Sequence, residues 1–231
     1  MNKNSLRAEV LARVVSVCQE QELHKHLTND LQNNSYTYET YGKVVEKPVF
    51  YHIQSLLSDL PLEVREAKNK NEFPDIQIYY EGQELLGIDV KAANRLRLDN
   101  DQWKPVSRPA NDLATFDSMP KKLDRWGGEN IWFIFLEYVA LPEVQSIHRI
   151  VFDKFYTFVG TAQDGLMSYR KKDGKIRPKK FDEPPPYPTL ESFEEGLALT
   201  IDPWRERIIR QHFALLSSQG KQNLLLELQN E

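Results

Sequence analysis

The sequence predicts an α/β (α+β) fold in which helices flank a central mixed β-sheet. Near both ends of the chain, apolar residues recur every three or four positions, which is the spacing of an amphipathic helix. In the middle of the chain, apolar and polar residues alternate, which is the spacing of a strand. The chain has 231 residues, of which 40% are hydrophobic, so it can bury one substantial core.

Two helices are predicted towards the N-terminus. Residues 5–32 carry an apolar stripe that begins with Leu6 and Val10 and continues at helical spacing. A second helical pattern covers residues 43–58 and contains Pro48, which either kinks this helix or begins it anew. Each helix would place one apolar face against the sheet.

The strands are predicted in the middle of the chain. Two alternating runs, residues 76–80 and 86–91, surround the loop Glu81-Gly82-Gln83 and indicate a β-hairpin. Residues 131–139 and 147–159 are rich in β-branched and aromatic side chains, so they are predicted as further strands.

An extended connector and a helix are predicted to end the chain. Residues 182–188 contain four prolines, which excludes a helix or a central strand there. Asp202 then serves as the N-cap of a helix whose first turn contains Pro203. The apolar side of this helix comprises Ile208, Ile209, Phe213 and Leu216.

Composition excludes several classes of protein. One cysteine, Cys18, excludes an internal disulfide and a zinc site built on cysteine pairs. The first residues are polar, and no apolar run approaches the ~20 residues that cross a bilayer. We therefore expect a soluble cytoplasmic protein that does not enter a membrane. Thirty basic residues against 34 acidic ones give a net charge of −4, which by itself argues against a nucleic-acid partner.

The predicted hairpin carries a group of charged residues. If its loop has three residues centred on Gly82, Asp75 lies directly opposite Asp89. Lys91 follows Asp89 by two positions and projects from the same face. Facing carboxylates, with Cβ atoms roughly 4.5–5.5 Å apart, repel each other unless a cation lies between them. A carboxylate pair beside a lysine is suited to metal-assisted phosphodiester hydrolysis, with Mg²⁺ as the expected ion.

An alternative interpretation of these residues needs no chemistry. Asp-x-Lys is common on solvent-facing strands and Pro-Asp is common in turns, so the pattern also arises without a function. An ordinary exposed sheet, however, avoids placing two aspartates opposite each other. The facing pair therefore favours hydrolysis over the solvent-facing strand.

The same residues carry a resemblance to a known family. Phe73-Pro74-Asp75 followed by Asp89-Val90-Lys91 resembles the motif of the PD-(D/E)xK nuclease superfamily. More specifically, segments 68–75 and 88–91 are similar to those of EcoRV-like type II restriction endonucleases. The resemblance implies a restriction-endonuclease-like fold and Mg²⁺-dependent cleavage of both strands of double-stranded DNA at a short palindromic site. It also implies blunt ends that carry 5′-phosphates. A two-fold DNA site calls for a two-fold protein, so a homodimer is expected.

The resemblance assigns roles to particular positions. Asp75 and Asp89 would bind Mg²⁺, and Lys91 would serve the attacking water. Glu46 is the nearest candidate for a glutamate that the family carries on an early helix, or else it is a solvated helix residue. Minor-groove contacts would come from Lys68, Asn69, Lys70 and Asn71, and the loop in the major groove would contain Thr161, Ala162, Gln163 and Asp164.

One domain is expected over residues 1–231. Within it, residues 1–60 would form a helical part that also dimerises, residues 61–160 the catalytic sheet core, and residues 161–231 the DNA-recognition and C-terminal part. The apolar stripe of residues 5–32 is the candidate dimer interface.

A basic run follows the predicted recognition loop. Residues 170–180 carry seven basic side chains against Asp173 alone, a net charge of +6, whereas residues 181–206 carry −6. The basic run is either a solvated loop or a contact for DNA phosphates, and its position favours phosphate contacts by Arg170, Lys171 and Lys172. Further candidates to line the same cleft are Arg95, Arg97, Lys104 and Arg108.

Two other functions remain open at this point. One is a DNA repair or nicking nuclease of the same superfamily, which would cut one strand or a particular structure. The other is a non-catalytic DNA-binding protein that keeps the fold. The intact set of two acids and a lysine argues against the second.

Overall fold

The computed structural model of the protein describes residues 2–20, 22–34, 36, 40–69, 72–141 and 144–229, and for Lys43 and Gln229 the backbone only. The helices are α1 (Lys3–Gln19), α2 (Glu22–Asn33), α3 (Tyr41–Val44), α4 (Glu46–Leu56), α5 (Met119–Trp126), α6 (Leu190–Leu215) and α7 (Ser218–Gln229). The strands are β1 (Glu63–Glu66), β2 (Ile76–Tyr80), β3 (Gln83–Asn94), β4 (Leu96–Asp99), β5 (Gln102–Pro105), β6 (Ala114–Thr115), β7 (Ile131–Ala140), β8 (Gln145–Lys154), β9 (Tyr169–Arg170) and β10 (Lys175–Ile176). Across these residues, none of the helices is long and apolar enough to cross a membrane.

Five strands form the central sheet in the order β1-β2-β3-β7-β8. Strands β3 and β7 are parallel, and the other neighbouring pairs are antiparallel, so the predicted mixed sheet is confirmed. Helices α1, α2 and α4 pack on one face of the sheet, and α5 and α6 pack on the other. Because side chains alternate along a strand, Ile88 and Val90 are buried under the first group, whereas Asp89 and Lys91 project on the side of the second.

The hairpin between β2 and β3 has a shorter turn than predicted. Its turn has two residues, Glu81 and Gly82, with φ of 49° and 76°, the left-handed values that a type I′ turn requires. The predicted three-residue loop is therefore wrong. A β-bulge leaves Leu85 without an opposite residue and shifts the pairing by one position. Beyond the bulge Ile76 lies opposite Ile88, which is the register that the sequence predicts next to the aspartates.

The predicted single helix over residues 5–32 is wrong, because the structure has two helices, α1 and α2, in this range. A straight helix over these residues would be about 42 Å long, whereas a ten-residue strand spans about 33 Å. After the break, α2 packs against β8 and against α1. The stripe from Leu6 onwards is buried within the chain, so it offers no free surface for the predicted dimer contact.

The other elements follow the predictions in part. In residues 43–58 a new helix begins after Val45, and Pro48 lies in its first turn, so no kink forms. The strand predicted at 131–139 is β7, and that predicted at 147–159 is right as far as Lys154, after which Phe155–Phe158 is a 3₁₀ turn. Residues 182–188 form neither helix nor strand, as predicted.

The C-terminal helix begins well before the predicted start. Thr189 and Ser192 form a capping box that begins α6, so Asp202 is not the N-cap and Pro203 lies inside the helix. Pro203 is exposed and does not end the helix. The predicted apolar side of this helix is confirmed only in part: Ile208 packs against the core, whereas Ile209 is 66% exposed and Leu216, just beyond α6, is 39% exposed.

A close contact supports the segment that precedes Asp75. A Cβ atom on Gly87 would lie 2.6 Å from Cγ of Pro74 and 3.2 Å from Cε3 of Trp126. Strand β3 therefore passes directly beneath Pro74, and α5 closes over the same point. The absence of a side chain at position 87 allows this approach.

Replacing Gly87 with alanine should destabilise the protein by about 1–3 kcal/mol, because the added methyl group must displace Pro74 or Trp126. Urea unfolding followed by circular dichroism measures this change. Gly42→Ala is the matched control, since its Cβ would lie 3.5 Å from the nearest atom, the hydroxyl of Tyr138. Equal free energies of unfolding for the two variants would contradict the expected clash.

Candidate active site

The structure brings Asp75, Asp89 and Lys91 together at the β2–β3 pair. One oxygen of Asp75, Oδ2, accepts a hydrogen bond of 2.7 Å from the backbone N–H of Val90. The ammonium of Lys91 lies 2.5 Å from Oδ2 of Asp89, and the side chain of Asp89 is only 4% exposed. A solvent-facing strand is therefore excluded for this pair.

The carboxyl group of Asp75 lies in surroundings that oppose its ionisation. Burial raises the pKa of Asp75 to about 8, and the negative charge of Asp89 adds to the increase. Lys91 and the N–H of Val90 oppose the increase without outweighing it. At neutral pH the protein without a bound cation therefore holds a proton on Asp75.

Lys91 keeps its positive charge. Burial acts against the charge of its ammonium, but attraction to Asp89 and then to Asp75 outweighs burial and raises the pKa of Lys91. An ammonium of this kind donates hydrogen bonds and does not accept a proton at neutral pH.

Glu46 lies beside this group, at the first turn of α4. It lines a cleft of about 180 Å³ together with Glu66, Ala67, Asn69 and Asp75; we call this the acidic cleft. Glu46 is exposed on its outer side, yet partial burial in the cleft raises the pKa of Glu46, and the charge of Asp89 adds to this against the attraction of Lys91. The sequence did not indicate Glu66, because it lies on a short strand with no motif.

The carboxylates fit a divalent cation. Oδ2 of Asp89 is buried and, apart from its ion contact with Lys91, has no hydrogen bond of normal geometry. The described part of the chain contains no group of three or more acidic, histidine or cysteine side chains arranged around one point. Magnesium often binds through one or two carboxylates and completes its shell with water or substrate oxygens. Asp75 and Asp89 are the residues that would hold it.

A second lysine, Lys122, faces the same site from α5. Its Nζ lies 3.7 Å from the centroid of the Phe73 ring. Burial lowers the pKa of Lys122; the charges of Asp89 and Asp75 oppose the decrease, and that of Lys91 adds to it. Lys122 was not identified from the sequence, because α5 lies outside the motif and only the fold brings α5 next to β3.

A larger cleft lies beside the C-terminal end of β3. Its volume is about 590 Å³, and Ala92, Ala93 and Asn94 form part of its wall. Four arginines and one acidic residue also line it: Arg97, Arg108, Arg170, Arg177 and Asp112. We call it the arginine cleft. Of the other predicted basic residues, Arg95 is paired with the buried Glu137, and Lys104 with Asp99.

Some of the residues predicted to contact DNA lie at or beside a cleft, and others do not. Asn69 lines the acidic cleft, and Lys68 is exposed next to it. Lys70 and Asn71 lie outside the described residues. Thr161 pairs with Met167 at the base of an exposed turn that contains Ala162, Gln163 and Asp164, and none of these lines either cleft.

In the basic run after this turn, some side chains line the arginine cleft and others are exposed to solvent. Arg170 lines the arginine cleft but also forms an ion pair of 2.6 Å with Asp173. Lys171 and Lys172 are exposed. Arg177 is also exposed and has no ion pair within the described residues.

This architecture has a counterpart among solved structures. NlaIV restriction endonuclease superimposes with a TM-score of 0.51 over 78% of this chain and 77% of that chain, at 16% sequence identity. This protein has a restriction-endonuclease-like fold. At this level of identity the likeness concerns the fold alone. No protein-family model matches the sequence. No curated protein matches it.

Asp75→Asn should stabilise the cation-free protein increasingly as the pH rises. In the unfolded chain Asp75 ionises near 3.8, and in the folded protein near 8. Between these values unfolding releases a proton, so a higher pH favours the unfolded wild type, and asparagine removes this effect. Asparagine also retains an oxygen that accepts the hydrogen bond from Val90. Thermal unfolding in EDTA at a series of pH values measures the difference.

The difference in melting temperature between Asp75→Asn and wild type should grow from about pH 4 to about pH 8 and then level off. Added Mg²⁺ should raise the melting temperature of wild type and leave that of the variant unchanged. A difference that stays constant with pH, or equal stabilisation of both proteins by Mg²⁺, would refute the assignment of Asp75.

Proposed function

We propose that this protein is a type II restriction endonuclease of the EcoRV-like kind, with Mg²⁺ as its cofactor. It would hydrolyse both strands of double-stranded DNA at a short palindromic site and leave blunt ends with 5′-phosphates. The EcoRV-like assignment and the blunt ends rest on the sequence resemblance of the hairpin. The fold that the chain shares with NlaIV restriction endonuclease supports a nuclease of this kind.

The observation that carries the proposal is the pair of carboxylates at Asp75 and Asp89 with Lys91 in contact. Two like charges in a buried place destabilise a protein unless a cation or a proton is present. When no metal ion is bound, a proton on Asp75 and the ammonium of Lys91 compensate for the charges of the two carboxyl groups. A protein with no use for a cation gains nothing from this arrangement.

The residues suit phosphodiester hydrolysis. In this reaction the oxygen of a water molecule bonds to phosphorus, the bond from phosphorus to the 3′ oxygen breaks, and that oxygen takes up a proton. Lys91 would donate hydrogen bonds that orient the water and stabilise the added negative charge on phosphate. Asp75 and Asp89 would hold Mg²⁺, whose charge, when it is bound, stabilises the same transition state. Glu46 would hydrogen-bond to water at the mouth of the acidic cleft.

The arginine cleft would hold the DNA backbone. It begins at Ala92 and Ala93, directly after Lys91 on the same strand. Four guanidinium groups against Asp112 give the cleft a net positive charge that suits phosphates. The negative charge of the whole chain is therefore compatible with a DNA substrate.

A palindromic site requires two active sites related by a two-fold axis, so we propose a homodimer. Its interface is not the apolar stripe of α1, which is buried in the chain. Size-exclusion chromatography with light scattering would give the mass of the particle.

Incubation with plasmid DNA tests the proposed activity. Wild type should give discrete linear fragments with Mg²⁺ and none in EDTA. Lys91→Ala should cut at a rate about 10²–10³-fold lower, because it lacks the ammonium that stabilises the transition state. Lys25→Ala is the control, since Lys25 is exposed on α2, across the sheet from the site.

Each alternative outcome has a distinct meaning. Nicked circles without linear products would replace this proposal with a repair or nicking enzyme of the same superfamily. DNA binding without any cleavage in Mg²⁺ would indicate a non-catalytic DNA-binding protein. A Lys91→Ala variant as active as Lys25→Ala would remove Lys91 from the mechanism.

The double variant Arg97→Ala/Arg177→Ala should weaken DNA binding without altering sequence preference. Each arginine that contacts a phosphate contributes roughly one to the slope of log affinity against log salt concentration, so the slope should fall by about two. Fluorescence anisotropy with duplex DNA at several NaCl concentrations measures it. Arg210→Ala is the control, because Arg210 is paired with Glu206 on the surface of α6. Equal slopes for both variants would show that DNA does not occupy the arginine cleft.

A further inference from the structure

Helix α5 holds Lys122 in a fixed place over the hairpin. Trp126, one turn later on the same side of the helix, packs against Tyr79 with ring centroids 6.0 Å apart. Trp126 also lies against Gly87, and Nζ of Lys122 lies over the Phe73 ring. The helix thus rests on the segment Phe73-Pro74 that leads into Asp75.

The ammonium of Lys122 is held without a counter-ion. Within the described residues it has neither an ion pair nor a hydrogen bond to a side chain, and it is partly buried. It lies within electrostatic range of Asp89, Asp75 and Lys91, because the charges of all three act on it. Burial of an unpaired ammonium costs free energy, and a ring face recovers only a part of that.

The neighbouring residue provides a contrast. Lys121 is exposed, and the structure gives it no contact with the site. Lys121 and Lys122 are thus adjacent lysines on one helix, of which one faces solvent and the other faces the carboxylates.

We infer that Lys122 is a second substrate-binding lysine, whose ammonium contacts a phosphate oxygen of the nucleic-acid backbone beside the Asp75–Asp89 pair. The inference rests on the proposed nuclease function and adds a residue to it. A phosphate group is the ligand of suitable charge, since the acidic side chains nearby are already engaged with Lys91 or would hold the metal ion. A lysine suits this place because a compact ammonium on a flexible stem can reach one oxygen.

Three variants test the role of Lys122. Lys122→Met keeps an unbranched apolar side chain beside Phe73 and removes the charge, Lys122→Arg keeps the charge, and Lys121→Met is the matched control. Cleavage of duplex DNA is measured as kcat and KM at several NaCl concentrations, and thermal unfolding is measured for each protein.

Lys122→Met should lower kcat/KM by about 10- to 100-fold, as expected for the loss of one charged hydrogen bond. Its kcat/KM should also depend less steeply on salt, by roughly one in the double-logarithmic slope. Lys122→Arg should recover most of the loss, and Lys121→Met should equal wild type. The melting temperature of Lys122→Met should be equal to or above that of wild type, because the cost of burying an unpaired ammonium is removed and an apolar side chain remains beside Phe73.

Other results would overturn the inference in separable ways. If wild type cuts DNA and Lys122→Met matches Lys121→Met, the proposed function stands and Lys122 has no part in it. If Lys122→Met loses activity only together with its melting temperature and keeps the wild-type salt slope, its role is structural. If wild type binds but does not cut DNA, the nuclease proposal fails, and an unchanged binding slope for Lys122→Met would then overturn the inference as well.

Discussion

The site depends on one unfavourable interaction, the approach of two carboxylates across the β2–β3 pair. Repulsion between them would separate a flexible pair of loops. Here the antiparallel backbone holds them, and the N–H of Val90 holds Asp75 directly. The surrounding structure reinforces this constraint, since β3 passes beneath Pro74 at Gly87 and α5 closes over both. The fold thus keeps the two carboxyl groups close enough that the charge of Asp89 opposes ionisation of Asp75, and a bound cation would take the place of the proton on Asp75.

Strand β3 connects two regions of opposite charge. Its central residues Asp89 and Lys91 belong to the candidate active site, and its last three residues form a wall of the arginine cleft. Successive residues of a strand are about 3.3 Å apart, so a polyanion lying along β3 would meet both regions within a few residues. A net charge averaged over the chain conceals this division, so composition alone does not exclude a nucleic-acid partner.

The sequence predicted what depends on local pattern. The mixed sheet, the hairpin and its register at Ile76 and Ile88, next to the two aspartates, followed from alternation and a motif. Helix boundaries were harder to predict, because the helical spacing of apolar residues in 5–32 does not mark the break between α1 and α2, and because Pro203 is tolerated at an exposed position inside α6. Lys122 and Glu66 could not be found, since only tertiary packing brings α5 and β1 to the hairpin. The roles of the site residues remain predictions.

Because of the bulge at Leu85, the number of residues in the hairpin does not by itself determine which residues lie opposite each other. The turn at Glu81 and Gly82 sets one pairing, and Leu85 shifts it before the strands reach the aspartates. If the pairing set by the turn continued without this bulge, the register would place Asp75 opposite Ile88 and not opposite Asp89. A hairpin of another length would build the same site if its turn and bulges together preserved the parity of the two strands. Comparisons of such motifs should therefore track parity and not the number of intervening residues.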